Sequence, residues 1–214
     1  MRSLTVVALL AASSLFGAAT APFPDPAIDQ ERPATKGKQT AVFAGGCFWC
    51  TEAVFEHVAG VQKVISGYAG GDAATAHYKI VGEGSTDHAE SIEITYDPSR
   101  ITFGQLLKIF FSVAHDPTQL NRQGPDHGKQ YRSSIFYNSP EQKRTAEAYI
   151  AQLSAAKVLA GPIVTLVVPL TKFYPAEDYH QDFVKNNPDH PYVVANALPK
   201  LQKLKKLYPD LIKR

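Results

Sequence analysis

Two cysteines three positions apart are the residues of this sequence with the most evident chemistry. Cys47 and Cys50 are the only cysteines among 214 residues, and they directly follow Gly45 and Gly46. The residues before the glycines predict a strand and those after them a helix. Unpaired backbone N–H groups and the helix dipole favour a thiolate at such a helix start. We therefore expect Cys47 to ionise more easily than a free cysteine and to act as a nucleophile.

The spacing alone leaves three interpretations of the pair open. It suits a redox dithiol of the thioredoxin-like kind, a structural disulfide, or one half of a metal site. Helical positions i and i+3 place Cα atoms roughly 5 Å apart, which is within the disulfide range. The seven histidines are scattered and supply no second half of a zinc motif.

The surrounding elements are predicted to follow the order β-α-β-β-α-β. Residues 92, 94 and 96 are apolar and alternate with polar neighbours, as in a half-buried strand. The fold class that we predict is α+β, a two-layer ferredoxin-like sandwich with inserted loops and a C-terminal extension. The predicted strands are 39–44, 60–67, 91–96, 133–137 and 163–168; the helices are 47–58, 103–114 and 140–159, with a short one near 176; the loops are 72–88 and 115–132.

The ends of the chain differ from its middle in composition. Residues 1–19 combine an early arginine, an apolar run and small residues, which predicts a signal peptide cleaved after Ala19 and hence an exported protein, in the bacterial periplasm. Residues 20–37 carry several prolines and mixed charges and are predicted to be a flexible leader. A single domain is then expected over residues 38–214. A buried N-terminal helix is the alternative reading of the first segment.

The last fifteen residues are basic and amphipathic. Residues 200–214 hold six basic side chains against Asp210 alone, while the whole chain has a formal charge of +2. Leucines at 198, 201, 204 and 207 predict a helix docked on the body with its lysines outward. A charge run on one helix face is usually solvated, so we expect neither nucleic-acid binding nor stable membrane insertion.

The residues around Cys47 resemble a known signature. Gly46-Cys47-Phe48-Trp49, followed by Glu52 and Phe55, is similar to the motif of peptide methionine sulfoxide reductase A, a family that repairs oxidised methionine. The resemblance covers about residues 40 to 185. Further blocks occur in the family's order: GYAGG (67–71), Tyr78, HAE (88–90), YDP (96–98), HDPT (115–118), NRQGPD (121–126), GKQYR (128–132) and FYPAEDYH (173–180).

The resemblance implies a reaction and a role for each matching residue. Cys47 would attack the sulfur of methionine S-sulfoxide, peptidyl or free, and become a sulfenic acid. Glu90, kept protonated by burial, would donate a proton to the sulfoxide oxygen. The remaining implied roles are hydrogen bonding to that oxygen by Tyr78 and Tyr131, organisation of the pocket by Asp126, and enclosure of the methyl group by Phe48 and Trp49.

Cys50 is a departure from the commoner family pattern. Many members carry glycine at this position and keep resolving cysteines near the C-terminus, where this chain has none. Cys50 is then the one thiol able to resolve the sulfenic acid within the molecule. We expect a Cys47–Cys50 disulfide that a thioredoxin-like dithiol protein reduces by exchange. A monomer without bound metal or cofactor is expected.

Overall fold

The computed structural model describes residues 23–213 and places eight strands and six α-helices in that part of the chain. The predicted signal peptide, residues 1–19, lies outside the described residues. The strands are β1 (Gln39–Gly45), β2 (Val61–Ala69), β3 (Ala89–Tyr96), β4 (Arg122–Gln123), β5 (Asp126–His127), β6 (Ser133–Tyr137), β7 (Leu166–Pro169) and β8 (Phe173–Pro175). The helices are α1 (Phe48–Glu56), α2 (Tyr78–Gly82), α3 (Phe103–Ile109), α4 (Pro140–Ala156), α5 (Phe183–Asn186) and α6 (Leu198–Leu207).

Six of the strands form one sheet in the order β7-β6-β1-β3-β2-β8. Every neighbouring pair is antiparallel except β6 and β7, which are parallel. The inner four strands and the helices α1 and α3 follow the chain order β-α-β-β-α-β of a ferredoxin-like unit. The predicted α+β class is confirmed, and β7 and β8 extend the sheet at its two edges.

The core lies between the sheet and the helices and is rich in aromatic side chains. Phe43 of β1 contacts Phe55 of α1 and Phe103 of α3, with ring centroids 5.8 Å apart in both pairs. It also stacks on Phe110 at 4.8 Å. Aromatic pairs of this geometry add to the stabilisation from apolar burial. The central strand is thereby fixed against both helices, and the turn that follows it is held in place.

The two predicted loops contain short elements that the sequence pattern did not indicate. The segment 72–88 includes a 3-10 turn and α2, so that Tyr78 begins a helix. The segment 115–132 includes the β4–β5 hairpin and a 3-10 turn over Lys129–Tyr131. Elements of two to five residues hold too few residues for a hydrophobic period to repeat, which is why periodicity could not reveal them.

Several predicted boundaries also shift. The predicted strand 163–168 begins only at residue 166. The short helix expected near residue 176 is a 3-10 turn over Asp178–His180, preceded by β8. The predicted helix 103–114 consists of α3 and a π-helical turn that follows it directly over Phe110–Ala114. Ser139 is the N-cap of α4, and its hydroxyl accepts a hydrogen bond from the Gln142 N–H.

Part of the predicted leader contacts the body of the protein. The Asp29 carboxylate accepts hydrogen bonds from the Thr102 hydroxyl and the Gly104 N–H at the start of α3. Asp25 lies 2.8 Å from the Lys108 ammonium. Residues 25 and 29 are thus seated on α3, while the mobility of the leader and the domain boundary at residue 38 stay predictions.

The basic C-terminal helix is present as α6 and packs on α1. Leu201 and Leu204 are buried, and Lys203, Lys205 and Lys206 point to solvent. Lys200 is half-buried, which departs from the expectation that all lysines face outward. No helix within residues 23–213 combines the length and the apolar character needed to cross a membrane.

Candidate active site

The two cysteines occupy the first turn of α1. Cys47 is the N-cap residue, and the Cys50 N–H donates a hydrogen bond to the Cys47 carbonyl oxygen at 3.2 Å. Both thiols are free in this structure. Cys47 is 8% exposed and Cys50 only 1%. The predicted placement of Cys47 at a helix start is therefore confirmed, with its partner thiol deeper in the protein.

The expectation that Cys47 ionises easily is wrong for this resting state. Burial raises the pKa of the Cys47 thiol well above its ordinary value, and its hydrogen bond to Cys50 and the charge of Glu90 raise it further. Loss of solvation disfavours the thiolate more than the helix N-terminus favours it. At neutral pH, Cys47 is therefore a thiol in this structure.

Glu90 lies directly beside the start of α1. It is the second residue of β3, and its Oε2 accepts a hydrogen bond from the Phe48 N–H at 3.1 Å. The residue is 2% exposed, and burial raises the pKa of its carboxyl to about 8 even though the Phe48 bond opposes the rise. Glu90 therefore holds a proton at neutral pH, as the sequence predicted for a buried acid.

The turn from β1 into α1 requires glycine. Gly46 has φ of +87°, a conformation that side chains rarely adopt, and a Cβ there would lie 2.5 Å from Cβ of Gln123. A Cβ on Gly45 would lie 2.9 Å from the Phe110 ring. The Gln123 amide is in turn bonded to the backbone of Asp116. This close packing brings β4 against the start of α1.

Both predicted tyrosines lie near enough to Glu90 and Cys47 to be affected by their charges. Tyr78 begins α2, and Tyr131 ends the 3-10 turn before β6. Burial is the largest cause that raises the pKa of both phenols. The charge of Glu90 is the next largest cause in each case, and Cys47 makes a smaller contribution. The phenols therefore stay protonated and are able to donate hydrogen bonds. Glu177, which the sequence did not single out, holds α2 by accepting from the Tyr78 N–H at 3.0 Å.

Tyr192 is a site residue that sequence reasoning missed. Its hydroxyl donates a hydrogen bond to Oδ2 of Asp126, and it lowers the pKa of both Cys47 and Cys50. Burial raises the pKa of Asp126, which the Tyr192 bond partly opposes. The contact joins residues 66 positions apart, so no local pattern could have indicated it.

Trp49 and Phe48 differ in how far they are available to a ligand. Trp49 is half-buried, stacks on Phe183 at 3.6 Å between ring centroids, and donates its indole N–H to Nδ1 of His180 at 3.0 Å. Phe48 is 1% exposed and packs against Tyr68 and His180. Trp49 is thus a half-buried side chain held in place by its neighbours, whereas Phe48 is chiefly a core residue.

The arrangement of the site residues agrees with the proteins to which this chain is similar. The family model described as peptide methionine sulfoxide reductase matches residues 39–211. The chain belongs to the peptide methionine sulfoxide reductase family. It is 57% identical over 192 residues to peptide methionine sulfoxide reductase MsrA 2 of Synechocystis sp., which covers 89% of this chain and 90% of that protein. It is also 57% identical to MsrA 2 of Mesorhizobium japonicum, with 85% and 93% covered.

Solved structures of methionine sulfoxide reductases share this fold. The crystal structure of Mxr1 from Saccharomyces cerevisiae in reduced form matches with a TM-score of 0.64 and 33% identity, covering 76% of this chain and 91% of that one. Methionine sulfoxide reductase A of Corynebacterium diphtheriae matches with a TM-score of 0.63 and 36% identity, covering 72% and 77%. The match decides against a thioredoxin-like oxidoreductase, which the cysteine spacing had left open.

The metal-site interpretation finds no support in the described geometry of this methionine sulfoxide reductase. Within residues 23–213, no group of three or more His, Cys, Asp or Glu side chains is arranged to hold a metal ion. His180, which the sequence assigned to a structural block, accepts the Trp49 bond described above. Whether the protein works without a bound cofactor stays a prediction.

Proposed function

We propose that this chain reduces the S epimer of L-methionine sulfoxide, peptidyl or free, through Cys47 and with Glu90 as the acid. The observation that carries the proposal is the buried, protonated Glu90 carboxyl at the helix start that presents Cys47. Sulfoxide reduction needs a soft nucleophile for sulfur and an acid for the departing oxygen. The two groups adjoin the same helix start here, in a chain of the peptide methionine sulfoxide reductase family.

In the first step the Cys47 sulfur attacks the sulfoxide sulfur, Glu90 protonates the oxygen, and the thiol proton of Cys47 passes to the Glu90 carboxylate that this leaves. The oxygen passes to Cys47, which becomes a sulfenic acid, and methionine leaves with two more electrons on its sulfur than the sulfoxide had. The phenols of Tyr78 and Tyr131 supply neutral hydrogen bonds to the oxygen. Asp126 positions the site through its bond with Tyr192, and Trp49, with Phe48 behind it, encloses the methyl group.

In the second step Cys50 attacks the sulfenic acid sulfur of Cys47, water leaves, and a Cys47–Cys50 disulfide forms. Support comes from the N-cap and third-residue positions of the two cysteines in one helical turn and from Cys47 and Cys50 being the only cysteines of the chain. A thioredoxin-like dithiol protein then reduces the disulfide by exchange. We further propose that the protein is exported to a bacterial periplasm after loss of residues 1–19, and that it acts as a monomer.

The test uses chirally resolved methionine sulfoxide, the wild type and two variants. Wild type is expected to turn over the S epimer repeatedly with a dithiol protein, and Cys47→Ser to produce no methionine. Cys50→Ser is expected to release one equivalent of methionine and then stop, because its sulfenic acid has no resolving thiol. Unchanged multiple turnover by Cys50→Ser would remove the resolving role, and equal activity on the R epimer would contradict the proposed substrate.

A further inference from the structure

His180 is a buried histidine that the proposed sulfoxide reaction does not use. It ends the 3-10 turn Asp178–His180 that follows β8, and it is 1% exposed. Its Nδ1 accepts the indole N–H of Trp49 at 3.0 Å. Its Nε2 is buried and has no hydrogen-bond partner among residues 23–213. In the part of the chain that the structure describes, Trp49 is thus the one side chain bonded to a ring nitrogen of His180.

The bond with Trp49 defines where the His180 ring carries its hydrogen. An indole nitrogen is a donor only, so Nδ1 must present a lone pair, and the neutral ring carries its hydrogen on Nε2. Protonation of the ring would set an N–H on Nδ1 against the indole N–H. Burial lowers the pKa of His180, and the charge of Glu177 opposes that change. The other titratable groups against the ring are the phenols of Tyr78 and Tyr179, which are uncharged at neutral pH.

The indole of Trp49 has aromatic neighbours on a face and at its edges. Phe183 stacks on it with ring centroids 3.6 Å apart and an angle of 7° between the rings. His190 and Tyr192 meet it edge to face at 6.3 and 5.9 Å. Dispersion contacts have little directionality, so stacking alone leaves an indole free to turn within its plane, whereas a hydrogen bond requires a defined direction. The bond to His180 is the contact that sets the orientation of the indole.

We propose that His180 is a positioning residue that sets the size of the methyl pocket, because its Nδ1 holds the Trp49 indole in one orientation. The proposal rests on the proposed function, in which Trp49 encloses the methyl group of the sulfoxide. The His180 ring also packs against Phe48 and Tyr78, with ring centroids 5.0 and 4.3 Å apart. One buried side chain therefore adjoins three groups that surround the sulfoxide in that function. An indole free to turn would admit a larger alkyl group on sulfur.

The hydrogen bond is directly observable because Trp49 is the only tryptophan of the chain. In protein labelled with nitrogen-15, NMR is expected to show a scalar coupling through the hydrogen bond between Nε1 of Trp49 and Nδ1 of His180. Long-range proton–nitrogen correlation is expected to show His180 with its hydrogen on Nε2 at neutral pH. Absence of the coupling, or a hydrogen on Nδ1, would overturn this inference and leave the proposed reduction untouched.

Substitution of His180 tests its effect on the methyl pocket. His180→Phe keeps a ring of similar size but removes the acceptor of the indole N–H. His180→Asn places an amide oxygen near the position of Nδ1, so it should retain the bond. First-turnover rates are measured at varied concentrations of the S epimers of methionine sulfoxide and ethionine sulfoxide, which differ by one methylene. A pocket built for the smaller group discriminates against one added methylene by about 10- to 200-fold.

Wild type is expected to prefer methionine sulfoxide by at least about tenfold, mainly through a lower half-saturating concentration, because Trp49 encloses the methyl group before sulfur is attacked. His180→Phe should lose about tenfold of this preference, and His180→Asn should keep it. The matched control is His57→Gln, since His57 bonds the Ala53 carbonyl near the other end of α1; it should equal wild type.

The outcomes separate the inference from the proposed function. Equal preferences in wild type and His180→Phe, or a wild type without preference, would overturn the role of His180. Equal losses in His180→Phe and His180→Asn would also overturn it, because a merely structural role in the core gives no rescue by asparagine. A wild type that reduces neither S-sulfoxide would instead overturn the proposed function.

Discussion

At the scale of single residues, burial sets the protonation of the two groups that the reaction needs. Cys47 and Glu90 adjoin the same helix start, and loss of solvation raises the pKa of both. Two neighbouring anions in a buried site would repel each other, so a resting site with both groups protonated is the lower-energy state. The sulfoxide oxygen then supplies the acceptor for the Glu90 proton as Cys47 attacks.

Glu90→Gln isolates the proton donor. We expect the rate of the first turnover to fall by about 10² to 10⁴, the usual contribution of a general acid. In wild type the same rate is expected to decline as pH rises through about 8, because Glu90 loses its proton there; the variant should lack this decline. Rapid-quench measurement of methionine from pH 6 to 10 provides both numbers.

The matched control is Glu93→Gln. Glu93 lies on the same strand three residues further on, and alternation along β3 turns it to the other face of the sheet. Its first-turnover rate and pH profile should equal those of wild type. If Glu90→Gln kept a wild-type rate and a decline near pH 8, the acid would have to be another group.

At the scale of elements, the turn between β1 and α1 decides where the nucleophile points. Gly46 adopts its left-handed conformation against Gln123 of β4, whose amide is tied to Asp116. The hairpin of β4 and β5 also carries Asp126, which is bonded to Tyr192. A segment that the sequence pattern indicated only as a long loop therefore supports the helix start from one side.

Gly46→Ala should disturb this support. A Cβ at residue 46 would meet Gln123 at 2.5 Å and would also force a strained φ. A displacement of about 1 Å at a reacting group costs about 10²-fold in rate, so we expect a loss of that order in the first turnover. Strain of this kind is also expected to lower the free energy of unfolding by about 1 to 2 kcal/mol, measured by urea titration.

Gly82→Ala is the control for the glycine substitution. Gly82 is the last residue of α2, and nothing lies within 4 Å of a Cβ placed there. Alanine favours helix over glycine by up to about 1 kcal/mol, so stability should stay equal or rise while the rate is retained. A Gly46→Ala protein as active as Gly82→Ala would show that the turn tolerates a side chain and does not position Cys47.

At the scale of the whole molecule, buried ionisable groups make stability depend on pH. Burial raises the pKa of Glu52 and of Glu90 to about 8, with the charge of Glu56 adding to the effect on Glu52. Burial lowers the pKa of His115 to about 3. The folded protein thus binds more protons than the unfolded chain at the two glutamates between about pH 4 and 8, and fewer at His115 between about pH 3 and 6.5.

The free energy of unfolding should therefore decline as pH rises from 6 to 9. Each of the two buried glutamates is expected to contribute about 2 kcal/mol to the decline, since one unit of pKa shift corresponds to about 1.4 kcal/mol. Between about pH 4.5 and 6.5 the unfolded chain gains a proton at its histidine that folded His115 refuses, which offsets the contribution of one of the two glutamates, so the decline with rising pH should be less steep there than above pH 6.5. Urea titrations at unit steps of pH between 4 and 9 measure the curve.

Glu52→Gln checks the assignment without touching the proposed chemistry. Glutamine has no proton to lose, so the free energy of unfolding of the variant should decline less between pH 6 and 9 than that of wild type. The difference should be about the contribution of one glutamate. Lys143→Gln, on the exposed face of α4, should reproduce the wild-type curve. A Glu52→Gln protein with the full wild-type decline would place the pH dependence in other groups.

The sequence by itself determined the order of the core elements and the main chemical groups. Alternating and helical patterns located β3, α1 and α4 to within a few residues, because local periodicity reflects which side faces the core. The spacing of Cys47 and Cys50 after two glycines indicated thiol chemistry at a helix start, and the ordered motifs indicated the family. A protonated Glu90 was also predicted, on the condition that the residue is buried.

Tertiary structure alone decided how those groups behave. Burial of Cys47 reversed the expected direction of its pKa, because desolvation depends on segments distant in the chain. Tyr192 reaches Asp126 across 66 positions, and Lys200 is half-buried on a helix whose other lysines are exposed. Contacts between remote segments leave no trace in local periodicity, so the protonation and surroundings of the cysteine pair are properties of the folded chain.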